Sequence, residues 1–158
     1  MRKLSIILIA SLMLLACFSC HKKSDKEIET DHLTEFIKKL SVKDNVKWIV
    51  ILPGLGCPGC IQEGEQFMKD NITDKNVYFV LTKIGSIKML SFKIGVDITK
   101  CRNVYEDKDN LFKIPTDNDI YPCIVEIDNG QIVDHEFQNP HNGLAFDNLN
   151  ARLKAQAQ

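Results

Sequence analysis

The chain has 158 residues, with 44% apolar and 26% charged side chains and a formal net charge of −1. That length suits one domain with a substantial core, and the two fractions are ordinary for a globular protein. The near-neutral balance implies no basic surface, so nucleic acid is not an expected partner.

Met1-Arg2-Lys3 is a short basic start, and residues 4–15 are apolar except for Ser5 and Ser11. This pattern reads as a targeting segment, too short to span a bilayer comfortably. Leu14-Leu15-Ala16-Cys17 ends it with a small residue before a cysteine. The arrangement resembles the lipobox of bacterial lipoproteins. The resemblance implies a signal peptide over 1–16, lipid on Cys17, a tether over 17–23 and a folded domain over 24–158. The alternative is an ordinary signal peptide with incidental cysteines. Lipid on Cys17 would anchor the chain to a membrane without spanning it. An exported compartment also permits disulfides.

In chain order, the first helix is expected over 24–40, with Ile28, Leu33, Phe36, Ile37 and Leu40 mostly on one face. Residues 41–45 read as a turn. Residues 46–52 are nearly all apolar and read as a strand buried on both faces. Pro53, Gly54 and Gly56 end it. Pro58 suits a first helical position, with Cys57 as N-cap, and the helix runs on through 61–71. Ile61, Gly64, Phe67 and Met68 form its apolar side.

A second buried strand is expected over 76–82. Ser86 can cap a helix whose Ile87, Leu90 and Ile94 face inward, and Gly95 is a suitable stop. Strand, helix, strand and helix in this order imply a right-handed parallel crossover. Residues 103–105 are a candidate short strand, followed by a charged turn over 106–110. The strands 122–128 and 131–137 are joined by Asn129-Gly130, a strong hairpin signal. Pro140 is expected to open a last helix, with Phe146, Leu149 and Leu153 on one face.

The chemistry is concentrated in Leu52-Pro53-Gly54-Leu55-Gly56-Cys57-Pro58-Gly59-Cys60. A buried strand delivers Cys57 and Cys60 to the start of a helix. Helix N-termini carry unpaired N–H groups and partial positive charge, which favour a thiolate on the first cysteine. One turn on, the second can close a disulfide with it. The layout is that of a redox dithiol. A static disulfide and a metal-binding pair are the alternatives.

The element order and the Cys-Pro-Gly-Cys motif resemble the thioredoxin superfamily. In that family a cis-proline opens the strand before the last hairpin turn, and a glycine follows eight residues later. Here Pro122 and Gly130 hold those places. The resemblance covers roughly residues 47–137. It implies an α/β thioredoxin-like fold: a mixed four-stranded core sheet, with 103–105 a candidate for a fifth strand, and helices on both faces. It also implies that Cys57 attacks a substrate disulfide and that Cys60 resolves the mixed disulfide. Pro122 would be cis, and Tyr121 with Pro122 would border a substrate groove, leaving the backbone of Tyr121 free for an extended substrate. The chain departs from the family at four places. Gly56 replaces the tryptophan before the first cysteine, and the inner dipeptide is reversed. Ile51 stands where the family has a buried acid, and Cys123 where it has threonine. Gly54 stands where peroxiredoxins require threonine, which sets a peroxidase aside.

Cys101 and Cys123 are accessory thiol candidates. Lys100 and Arg102 would favour a thiolate on Cys101, whereas Cys123 reads first as a small buried hydrophobe. His135 is expected on the solvent face of its strand, His32 and His21 at the surface, Glu63 and Glu65 in solvent, and Trp48 and Phe67 in the core. No second closely spaced ligand pair exists for a metal site with the dithiol, so no metal is expected. The expectation is therefore a thiol-disulfide oxidoreductase of a bacterial cell envelope, lipid-anchored, facing the periplasm and monomeric. Its partners would be the thiols and disulfides of exported proteins. It needs no organic cofactor, because the Cys57–Cys60 disulfide carries the electrons. The alternative is a non-catalytic thioredoxin-fold lipoprotein that binds a metal ion or a partner protein.

Overall fold

The computed structural model describes residues 22–156. The expected signal peptide, Cys17, Cys20, His21 and most of the tether lie outside the described residues. Within them the protein is mixed α/β: one five-stranded sheet and four α-helices. No described helix is long and apolar enough to cross a membrane.

The centre of the sheet is β1 (Trp48–Pro53), buried at every position. Its alternating side chains serve two cores, since successive strand residues point to opposite faces. Trp48, Val50 and Leu52 enter one, and Ile49 and Ile51 the other. β1 pairs in parallel with β2 (Val77–Thr82), and β2 in parallel with β3 (Val104–Asp107). On its other side β1 pairs antiparallel with β4 (Cys123–Asp128), which pairs antiparallel with β5 (Gln131–Phe137). The spatial order is β3-β2-β1-β4-β5. The candidate fifth strand is present and longer than expected. Glu106 and Asp107 belong to it rather than to a turn, because they pair with Leu81 and Thr82.

The helices α2 (Pro58–Asn71), α3 (Ile87–Ile94) and α4 (Ala145–Gln156) cover one face. Phe67 of α2 stacks on Phe146 of α4 with ring centroids 4.9 Å apart. Gly64 lets α2 approach the sheet, for a Cβ there would come within 2.6 Å of the Leu52 side chain. Each large apolar side chain buried here contributes about 1.5–3 kcal/mol. The other face is covered by α1 (Asp25–Ile37), through Leu33 and Phe36, and by the segment after β3, through Phe112 and Ile114.

Local signals set most boundaries. Ser24 and Glu27 form a capping box at the start of α1. Ser86 accepts from the Met89 N–H, and Gly95 ends α3 in the left-handed region. Asn129 and Gly130 both have positive φ, 50° and 76°, as a two-residue hairpin turn with matching twist requires. Two helix ends differ from expectation. α1 stops at Ile37, because Lys39 and Leu40 donate to carbonyls only three residues back and tighten the chain into a turn. α4 begins at Ala145 rather than at Pro140. The Asn139 side chain takes the His141 and Asn142 N–H groups, which holds Pro140 in a turn, and the buried Gln138 side chain accepts from the Phe146 N–H instead.

Candidate functional site: the dithiol corner

The chain leaves β1 through Gly54 and Gly56 and enters α2 at Cys57. Both glycines are required by close approach. A Cβ on Gly54 would meet the Lys83 carbonyl, and one on Gly56, at φ 146°, would run into the Ile120 carbonyl. The corner is thus wedged between the end of β2 and a 3₁₀ turn, Asp117–Ile120.

Cys57 is the N-cap residue of α2, with Pro58 in the first turn and no side-chain cap bond. Pro58 has no N–H to leave unsatisfied. The Cys57 N–H donates to the Ile120 carbonyl at 3.2 Å, and the Cys57 carbonyl accepts from the Ile61 N–H at 2.9 Å. Cys57 and Cys60 are joined in a disulfide, with Cα atoms 5.4 Å apart. Cys57 is half-buried and Cys60 is only 7% exposed. A reagent from solvent therefore reaches the first sulfur more easily than the second, while the second remains bonded to it.

The other expected site residues fall around this corner with several corrections. Tyr121 is half-buried and Pro122 buried, one and two residues after Ile120. No described peptide bond is cis, so the expected cis bond at Pro122 is absent. Nor is the Tyr121 backbone wholly free. Its N–H donates to the Asn118 carbonyl at 3.0 Å, closing the 3₁₀ turn, and the Pro122 carbonyl accepts from the Gln138 N–H.

Cys101 and Cys123 hold no disulfide. The expected thiolate character of Cys101 is reversed. Burial and the nearby Asp97 charge push its thiol up, while Asp97 pairs with Lys100 at 2.9 Å. Cys123 is a buried hydrophobe, 1% exposed, opposite Ile51 across the β1–β4 pair. Burial pushes its thiol well up, and the Glu29 and Glu136 charges add to that.

His135 lies inside, not on the solvent face. It is 6% exposed and its Nε2 is 3.0 Å from Glu29 Oε2. His32 and His141 are exposed. Glu63 is exposed and accepts from the Gln138 amide. Glu65 is not in open solvent as expected: its side chain is largely covered and pairs with Lys93 of α3. Trp48 and Phe67 are core residues. Among the described residues no three His, Cys, Asp or Glu side chains converge to hold a metal ion.

A polar cluster behind the corner was not anticipated. Glu29, 4% exposed, accepts from Thr116 Oγ1 at 2.5 Å and from Asn118 Nδ2 at 2.8 Å, as well as meeting His135. Burial pushes its carboxyl up, but the hydrogen bonds from Thr116, His135 and Asn118 outweigh this, and Glu29 sits below the ordinary carboxylate value. On the opposite side, Lys83 pairs with Asp119 at 2.5 Å. One sequence signal does bear on Glu29. It falls four residues before Leu33 and seven before Phe36, so helical spacing puts a carboxylate on the apolar stripe of α1.

No protein-family model matches the chain, and no match is found among curated proteins or solved structures.

Proposed function

We propose that the protein exchanges thiols and disulfides with exported proteins through Cys57 and Cys60. The observation that carries this reading is the closed disulfide at the first turn of α2, with its first cysteine half-exposed and its second buried. The strand order β3-β2-β1-β4-β5, with two parallel pairs on one side of β1 and two antiparallel pairs on the other, is compatible with a thioredoxin-like fold. In the forward direction a substrate thiolate attacks the Cys57–Cys60 bond at Cys57 and frees the Cys60 thiolate. The second substrate thiol then displaces Cys57. One substrate disulfide forms as Cys57 and Cys60 take up two electrons and two protons, and the reverse sequence reduces a substrate disulfide. No organic cofactor enters this balance. Tyr121 and Pro122, following Ile120, border the approach to Cys57. Lipid on Cys17 would hold a monomeric domain at the periplasmic side of a bacterial envelope membrane, within reach of exported thiols.

Two measurements on the full-length chain test the reading. The protein should catalyse disulfide reduction with a thiol donor, and Cys57→Ser should fall to the uncatalysed rate. Cys60→Ser should trap partners as mixed disulfides on Cys57. Absence of both turnover and trapped partners overturns the proposal. In the same cells Cys17→Ser should move the protein out of the membrane fraction, and an unchanged distribution rejects the lipid anchor.

A further inference from the structure

The 3₁₀ turn Asp117–Ile120 buries none of its residues. Ile120 itself is 44% exposed. Within the turn itself apolar packing therefore does little to fix the backbone that lies against Cys57, although Tyr121 just after it packs on the apolar cluster under α1. Short 3₁₀ turns also have poor hydrogen-bond geometry of their own. What holds the turn is polar, and it comes from two sides. Glu29 takes the side-chain donors of Thr116 and Asn118, and Lys83 takes Asp119. Thr116 also caps the turn by accepting from the Asn118 N–H. Glu29 is in turn fixed by His135 of β5. A buried carboxylate is costly, and apolar residues of the same volume would stabilise the fold as well or better. The position of the turn is what this cluster supplies and apolar packing would not.

That position has an electrostatic consequence at the dithiol. The Ile120 carbonyl, bonded to the Cys57 N–H at 3.2 Å, sets the negative end of a dipole against the N-terminus of α2. The helix end favours a Cys57 thiolate, and the carbonyl opposes it. Destabilising the thiolate destabilises the reduced dithiol, which makes the couple more reducing.

We propose that Glu29 is a positioning residue that sets the redox poise of the Cys57–Cys60 couple: through Thr116 and Asn118 it holds the Ile120 carbonyl on the Cys57 amide and keeps the couple reducing. The inference rests on the reading that this dithiol cycles. Releasing the turn lets the carbonyl leave, so the thiolate gains stability and the couple becomes more oxidising.

The test uses the full-length protein equilibrated with reduced and oxidised glutathione. Glu29→Ala risks the fold, so the informative variant is Thr116→Val with Asn118→Ala, at half-buried positions. It should shift the equilibrium toward the reduced dithiol by about tenfold, or ~30 mV for a two-electron couple. Reduced Cys57, followed by mass spectrometry of its peptide, should alkylate at lower pH than in wild type. Thr116→Ser, which restores the hydroxyl, should return both values most of the way. A variant that loses stability but keeps the wild-type equilibrium and alkylation profile overturns the inference while leaving the exchange reading intact. A shift in the reducing direction also overturns it. A wild-type disulfide that neither glutathione nor dithiothreitol reduces overturns both.

Discussion

The sheet face under α2, α3 and α4 is packed mainly with apolar side chains, with the neutral Gln138 buried beside α4, whereas the face under α1 mixes an apolar cluster with the buried Glu29–His135 pair. The difference follows from what covers each face. Three helices satisfy most of their backbone groups internally and need outside partners only at their ends, as where Gln138 takes the Phe146 N–H. On the other side, part of the cover is irregular chain between β3 and β4, whose backbone and polar side chains need partners. The buried Asp107 carboxylate takes the Leu111 and Phe112 N–H groups, and Glu29 takes Thr116 and Asn118. An irregular cover thus imports polar groups into the interior. Here it places them next to the segment that touches Cys57.

The sharpest way to break this comparison is to remove one large anchor from each face. Phe67→Ala on the helical face should lower unfolding free energy by ~3–5 kcal/mol. Phe112→Ala, under irregular chain that can collapse into the gap, should cost less. Equal losses in a denaturant titration would show the irregular cover to be as rigidly packed as the helices.

Glu29→Ala should be the next largest effect, about 3 kcal/mol, since it strands a buried histidine and two donors. It also carries a pH signature. The folded carboxyl lies below its unfolded value near 4.5, so the unfolded chain binds the proton first. The resulting stabilisation is present above pH 4.5 and is lost as pH falls through the folded value. Glu29→Gln should flatten that part of the acid limb of stability against pH. An unchanged acid limb would mean that the carboxylate is not held by its three partners.

The smallest effect is expected at Lys26, which pairs at 2.6 Å with Asp134 across α1 and β5, both side chains more than half exposed. Lys26→Ala should cost ~0.2–1 kcal/mol, vanishing at high salt. A loss of several kcal/mol would show that α1 is attached to β5 chiefly by surface charge rather than by Leu33, Phe36 and the Glu29 cluster.

Much of the fold was legible because its signals are local. The apolar runs gave β1 and β2, Ser86 and Gly95 bracketed α3, and Asn129-Gly130 set the last hairpin. That Cys57 and Cys60 can close a disulfide was legible for the same reason, since Cys57, Pro58 and Cys60 lie within one turn. Some of the misreadings concern residues whose surroundings come from far along the chain, and others concern short turns. Glu29 and His135 are 106 positions apart, and Glu29 and Thr116 are 87 apart. Alternation along β5 did not reveal that α1 covers His135. The charges flanking Cys101 misled because Asp97, brought back by a 3₁₀ turn, faces it instead. Pro122 took a trans bond, with Tyr121 closing a turn that the polar run before it did not announce.

By itself the sequence determined most of the helices and strands, though not all of their ends, and that two cysteines meet at a helix start, because backbone propensity, caps and apolar period act over a few residues. Only the tertiary structure decided what surrounds those cysteines: a carbonyl on the Cys57 amide, a buried carboxylate holding the turn behind it, and a neutral Cys123 across from Ile51. Electrostatic surroundings depend on distance through space, and chain order does not encode that distance until the sheet has brought its strands together.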